Sequence, residues 1–135
     1  MIIKHLSEHK IFWLLSAVGW TILIAFLCLI DNSDLPSMNL KISGIDKLVH
    51  FLFHFIFTLF WSIYYFSKQK SLSSKVVTAI IFTSLLFGIL IEWLQDSFTL
   101  TRQADIFDVI FNFSGAVTAG LLVYHYLKKN LNTNT

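Results

Sequence analysis

At 135 residues the chain has the length of one domain, but 56% hydrophobic and 16% aromatic residues against 13% charged put it outside the composition of soluble domains. A formal charge of +2, dispersed and without a strip of basic and aromatic residues, argues against nucleic acid as a partner. The single cysteine, Cys28, lies in an apolar run without a second to pair with, so no disulfide framework is expected.

Four apolar runs follow one another, each near the roughly 20 residues that cross the hydrocarbon core as a helix. The first, 11–30, comes after Lys4 and Lys10 and has the flank of a signal peptide. Its apolar core is too long for one, no small-x-small cleavage site follows, and three further runs come after it. A lipoprotein reading fails as well, because bulky Leu27 precedes Cys28. The second run is 48–67, the third 76–95 and the fourth 106–127. Between them lie a loop holding Pro36 and Gly44, the short "KQKSLSSK" and the segment after Gln95, with no internal repeat.

The expectation is an all-α integral membrane bundle of four transmembrane helices, one domain over residues 1–135. Lys4, Lys10, Lys68, Lys70, Lys75, Lys128 and Lys129 fall on one side, against Lys41, Lys47 and Arg102 on the other. By the positive-inside rule both termini are then cytoplasmic. Glu8 alone of the acids lies on that side, so the opposite, outer edge is acidic and rich in amides.

That edge carries the candidate site. Asp46, His50 and His54 are spaced i, i+4, i+8 on the opening turns of the second span. Glu92 and Gln95 close the third, and Asp105, Asp108 and Asn112 open the fourth. The second and fourth spans enter from the outside and the third leaves there, so the three stripes share a depth and can share a pocket. Ionisable groups near hydrocarbon face protein or water and are paired or functional. Asp105 and Asp108 also suit a helix start, as cap and third-position acid, and Asp46 likewise favours a helix N-terminus. Glu92, at a helix C-terminus, opposes the dipole and calls for a cation, for which Arg102 is the expected partner and Lys47 the alternative. His50 and His54 on one helical face are weak metal candidates, together with Glu92 or Asp108. Hydrogen bonding to Asp46 or Glu92 is the plainer expectation for these histidines, and neither a metal nor another cofactor is assigned. Gly88, Gly115 and Gly120, with Ser114, Ala116 and Ala119, suit close helix packing. The tryptophans and tyrosines are expected to anchor the interfaces and fill the core.

The ordered motifs "DKLVH" (46–50), "GILIEWLQ" (88–95) and "TRQADIFDVIFNFSGAVTAG" (101–120) resemble the VanZ-like membrane family over roughly residues 44–127. The shared pattern is D-K-x-x-H, E-x-x-Q, then R-x-x-D-x-x-D-x-x-x-N-x-x-G. One departure is visible: many members have a proline shortly before the arginine, where this chain reads "FTLTR". The resemblance implies a small multi-span protein of the bacterial cytoplasmic membrane, in a family named for a member associated with teicoplanin resistance, and no known reaction. Its polar positions fall on Asp46, Lys47, His50, Glu92, Gln95, Arg102, Asp105, Asp108 and Asn112.

Three functions are consistent with these residues. The first is a pocket for an envelope lipid, a cell-wall precursor or a glycopeptide-type ligand, with Lys47 and Arg102 engaging phosphate or carboxylate. The second is an enzyme on such a lipid, with His50, Glu92 and Asp108 as acid-base candidates. The third is a structural bundle or a subunit of a membrane complex. Membrane lipids are partners in each reading, and the sequence leaves monomer and oligomer open.

Overall fold

A computed structural model describes residues 9–30, 44–99 and 103–132. These form four helices: α1 (Lys10–Leu29), α2 (Ile45–Gln69), α3 (Ser74–Phe98) and α4 (Ile106–Asn132). No strand occurs among the described residues. All four are long and apolar enough to cross a membrane. Large apolar side chains such as Ile11, Leu15, Ile22, Phe82, Ile106 and Leu122 are exposed on their outer faces, as lipid-facing surface requires. α2, α3 and α4 are a few residues longer than their apolar runs, because their polar end turns remain helical, whereas α1 has the length of its run.

α2 is the hub, packing most extensively against α4 and also against α1. α1 buries only a narrow seam, Ala17, Ile24 and Cys28, with a spacing close to two and then one helical turn. Three polar links add to that seam. Trp20 Nε1 donates to the Phe53 carbonyl at 2.9 Å, Trp61 Nε1 to Thr21 Oγ1 at 3.3 Å, and Gln95 Nε2 to the Cys28 carbonyl at 2.7 Å. Trp20 and Trp61 therefore fasten helices together, a more specific role than the anchors expected from composition. A half-open, nearly all-apolar cleft of about 320 Å³ lies between α1, α2 and α3, lined by Thr21, Phe57, Trp61, Ile80, Thr83 and Phe87.

The small residues of α4 set its distance from both neighbours. A Cβ at Gly115 would overlap the Phe51 carbonyl of α2, and one at Gly120 would come within 2.7 Å of Ile81 on α3. Ala116 and Ala119 are fully buried between them. This close approach carries the first turns of α4 up to those of α2.

Candidate functional site

α4 starts at Asp105, whose carbonyl accepts the N–H groups of Asp108 at 3.0 Å and Val109 at 3.4 Å. Its Oδ1 accepts the Phe107 N–H at 2.8 Å, which makes it the N-cap the sequence suggests. In a capping box the acid at the third helical position, here Asp108, would reach back to the cap's own N–H. That N–H donates instead to Glu92 Oε2 of α3, at 3.0 Å. Asp108 is thus free to face α2.

There its two oxygens have different neighbours. Oδ1 accepts from Lys47 Nζ at 3.1 Å, and Oδ2 lies 3.6 Å from His50 Nε2. Lys47 also donates to Asp105 Oδ2 at 2.8 Å and Asp46 Oδ2 at 3.2 Å. One ammonium holds three carboxylates, leaving it little capacity for a further anion. The Lys47 ammonium, and after it the Phe107 N–H, hold the Asp105 carboxyl below its ordinary value.

His50 is buried beneath this ion cluster. Its Nδ1 lies 3.2 Å from Asn112 Oδ1 and 3.9 Å from Glu92 Oε1. An amide oxygen only accepts, so that hydrogen bond places the ring proton on Nδ1. Two buried atoms here, Glu92 Oε1 and Asn112 Nδ2, have no hydrogen-bond partner among the described residues. Atoms of His50, Glu92 and Asp108 fall within 4.8 Å of one another, spacing that could hold a metal ion.

The remaining sequence candidates are distributed around this centre. Asp46 is exposed and reaches only Lys47 in it. Gln95 is buried but turned toward α1, on the Cys28 carbonyl. Arg102 lies outside the described residues, so its expected pairing with Glu92 does too. His54 does not join His50; its Nδ1 lies 2.8 Å from Ser84 Oγ, with both side chains buried. Ser84 was not singled out in the sequence, although it stands i, i+4, i+8 with Gly88 and Glu92 on one face of α3. Gly88 leaves room for Asn112, whose Nδ2 a Cβ there would approach to 3.0 Å.

Replacing Lys47 with methionine is expected to lower the melting temperature in detergent by leaving its three carboxylates to repel one another. Adding Asp108→Asn should recover part of the loss. The Asp105 contribution has a defined pH sense. Its folded value is depressed, so the stabilisation is full above the unperturbed value of about 3.9 and disappears as pH falls through the lower folded value. Tryptophan-detected melting of both variants between neutral and acid pH is the measurement, and a second substitution that rescues nothing would separate Lys47 from Asp108.

A search of curated proteins and of solved structures finds no match to the chain. The family model described as VanZ/LLP1 matches residues 6–128, which takes in all four helices almost to the end of α4. The sequence motifs, the four membrane-spanning helices and this match agree: the chain is a multi-pass membrane protein of the VanZ/LLP1 family.

Proposed function

We propose that the protein is a ligand-binding protein of the bacterial cytoplasmic membrane, whose polar end faces outward and receives the polar headgroup of an envelope lipid or lipid-linked cell-wall precursor. The observation that carries this reading is a pair of neighbouring buried atoms, Glu92 Oε1 and Asn112 Nδ2, that have no hydrogen-bond partner among the described residues. Trp13 Nε1, Thr58 Oγ1 and Ser62 Oγ are also unpaired among the described residues, but this pair alone includes a carboxylate, whose unmade hydrogen bond costs more than the about 1–3 kcal/mol of a neutral group. The half-open cleft bordered by Phe57 and Phe87 supports a lipid over a soluble ligand. These two rings stack on each other at 5.6 Å and contact the His54 ring, one turn beyond His50. Acid-base chemistry on a covalent route has less support. Ser84 is the hydroxyl on an imidazole, yet it is 0% exposed and serves as a packing partner of His54.

The test is melting of the full chain in detergent against a panel of envelope phospholipids, a polyprenyl-phosphate precursor and glycopeptides, with Asn112→Ala and Glu92→Gln alongside. A lipid of one headgroup class should raise the melting temperature of the parent and not of these variants. Impermeant thiol labelling in a Cys28→Ala background should reach Ser37→Cys and not Ser71→Cys from outside intact cells. Equal shifts in parent and variants, or the reverse labelling pattern, would remove this reading.

A further inference from the structure

The protein holds each of three side chains at the polar end by a hydrogen bond to one polar atom and leaves the other polar atom outside that bond. Glu92 is anchored through Oε2 on the Asp105 N–H, Asp108 through Oδ1 on Lys47, and His50 through Nδ1 on Asn112 Oδ1. The atoms left over are Glu92 Oε1, Asp108 Oδ2 and His50 Nε2. Glu92 Oε1 is buried, in a residue only 4% exposed, and has no hydrogen-bond partner among the described residues. Asp108 Oδ2 and His50 Nε2 are 3.6 Å apart, too long for a hydrogen bond between them. We infer that His50, Glu92 and Asp108 bind a divalent transition-metal ion, of which zinc is the first to test.

The spacing fits such an ion. Two ligand atoms each at about 2.0–2.2 Å from tetrahedral zinc lie roughly 3.3–3.6 Å apart. The His50–Asp108 separation of 3.6 Å already meets this, and one ligand atom from each of the three residues lies within 4.8 Å of the other two, so a small contraction closes the set. The anchors are those that metal ligands ordinarily have. A ligating imidazole donates its other ring N–H to an oxygen, and ligating carboxylates are themselves hydrogen-bonded. Charge argues in the same direction: the described residues at this end set Asp46, Glu92, Asp96, Asp105 and Asp108 against Lys47 alone, and a dication offsets the excess at Glu92 and Asp108, which are the most shielded from solvent. One imidazole with two carboxylates suits zinc, manganese or ferrous iron better than calcium or magnesium, which favour all-oxygen sites. Three protein ligands leave at least one position open, the arrangement of an ion that engages a further oxygen. The inference does not depend on the headgroup reading, although a phosphate oxygen in that open position would reconcile an acidic site with an anionic lipid.

The full chain purified in detergent, stripped with chelator and dialysed against zinc, should retain one zinc per chain by mass spectrometry. Cobalt in its place should give visible d–d absorption, and its titration gives the affinity. Glu92→Gln and Asp108→Asn, which keep side-chain size, and His50→Ala should each weaken binding by at least about tenfold. His125→Ala, on the exposed far end of α4, should bind as the parent does. Helicity by circular dichroism identifies folded variants, and the two isosteric changes carry the test if His50→Ala fails to fold. Absence of retained zinc in the parent, or affinity that follows His125 and ignores Glu92 and Asp108, would overturn the site. No lipid ligand is added in these measurements, so the outcome is separate from that of headgroup binding.

Discussion

Gly115→Leu is expected to unfold the bundle or force a different packing of α4, and Gly115→Ala to weaken it by about 1–3 kcal/mol. The cause is the backbone-to-backbone approach of α4 to α2, where a Cβ would overlap the Phe51 carbonyl oxygen. A flexible side chain can give way to an added methyl; a helix carbonyl, already bonded within its own turn, cannot. The two helices would have to separate or rotate. In a bilayer the lipid tails are as apolar as the helix surfaces, so close packing supplies much of the association that water would otherwise drive. Separation would also pull Asp108, two turns before Gly115 on the same helix, away from His50 and Lys47. Gly19 of α1 provides the contrast, since nothing lies within 4 Å of a Cβ there. Gly19→Ala should stabilise by about 0.5–1 kcal/mol through helix propensity. Unfolding in mixed micelles with increasing dodecyl sulfate measures both. Equal curves for Gly115→Ala and the parent would mean that α4 does not pack as described.

The contrast between these glycines also shows how far the sequence can be read. Apolar runs of bilayer length located all four helices to within a few residues, because that constraint acts on each segment alone. Depth was legible for the same reason: His50, Glu92 and Asp108 belong to turns that reach one level, and the structure brings them together. Rotation was not legible. Successive residues turn by about 100°, so i, i+4 positions differ by about 40° and i, i+3 positions by about 60°. His50 therefore meets Asn112 on α4 while His54, one turn on, meets Ser84 on α3. Glu92 reaches α4 while Gln95 faces α1. Which neighbour lies in each direction depends on packing contacts such as Gly115 on Phe51, which a single sequence shows only as a small residue. The reassignment of the Asp105 N–H from Asp108 to Glu92 belongs to the same class, since a local capping pattern carries no information about an acceptor on another helix.

At Glu92 charge and shape can be separated, and the two substitutions there should have opposite signs. Glu92→Ala removes the acceptor of the Asp105 N–H and leaves a void in a buried position, a loss of about 2–4 kcal/mol. Glu92→Gln keeps the volume and can present its amide oxygen to the same N–H, which lies 3.0 Å from Oε2. It also removes a desolvated negative charge whose neighbours include Asp105 and Asp108. In metal-free protein the glutamine variant should therefore be as stable as the parent or more stable by about 1–3 kcal/mol, the behaviour of a functional residue kept at a cost to stability. Zinc at a concentration between the two dissociation constants should reverse the order, because an ion that binds the folded parent more tightly stabilises it by mass action more than it does the variant. Micellar unfolding of parent, Glu92→Ala and Glu92→Gln, each with chelator and with zinc, supplies the comparison. If Glu92→Gln loses as much as Glu92→Ala in chelator, the carboxylate is held by a cation of the chain itself. Arg102, the pairing expected from the sequence, is then the residue to examine. A cycle of Arg102→Gln with Glu92→Gln would show coupling if that pair forms, and additive effects if the charge of Glu92 is reserved for the metal.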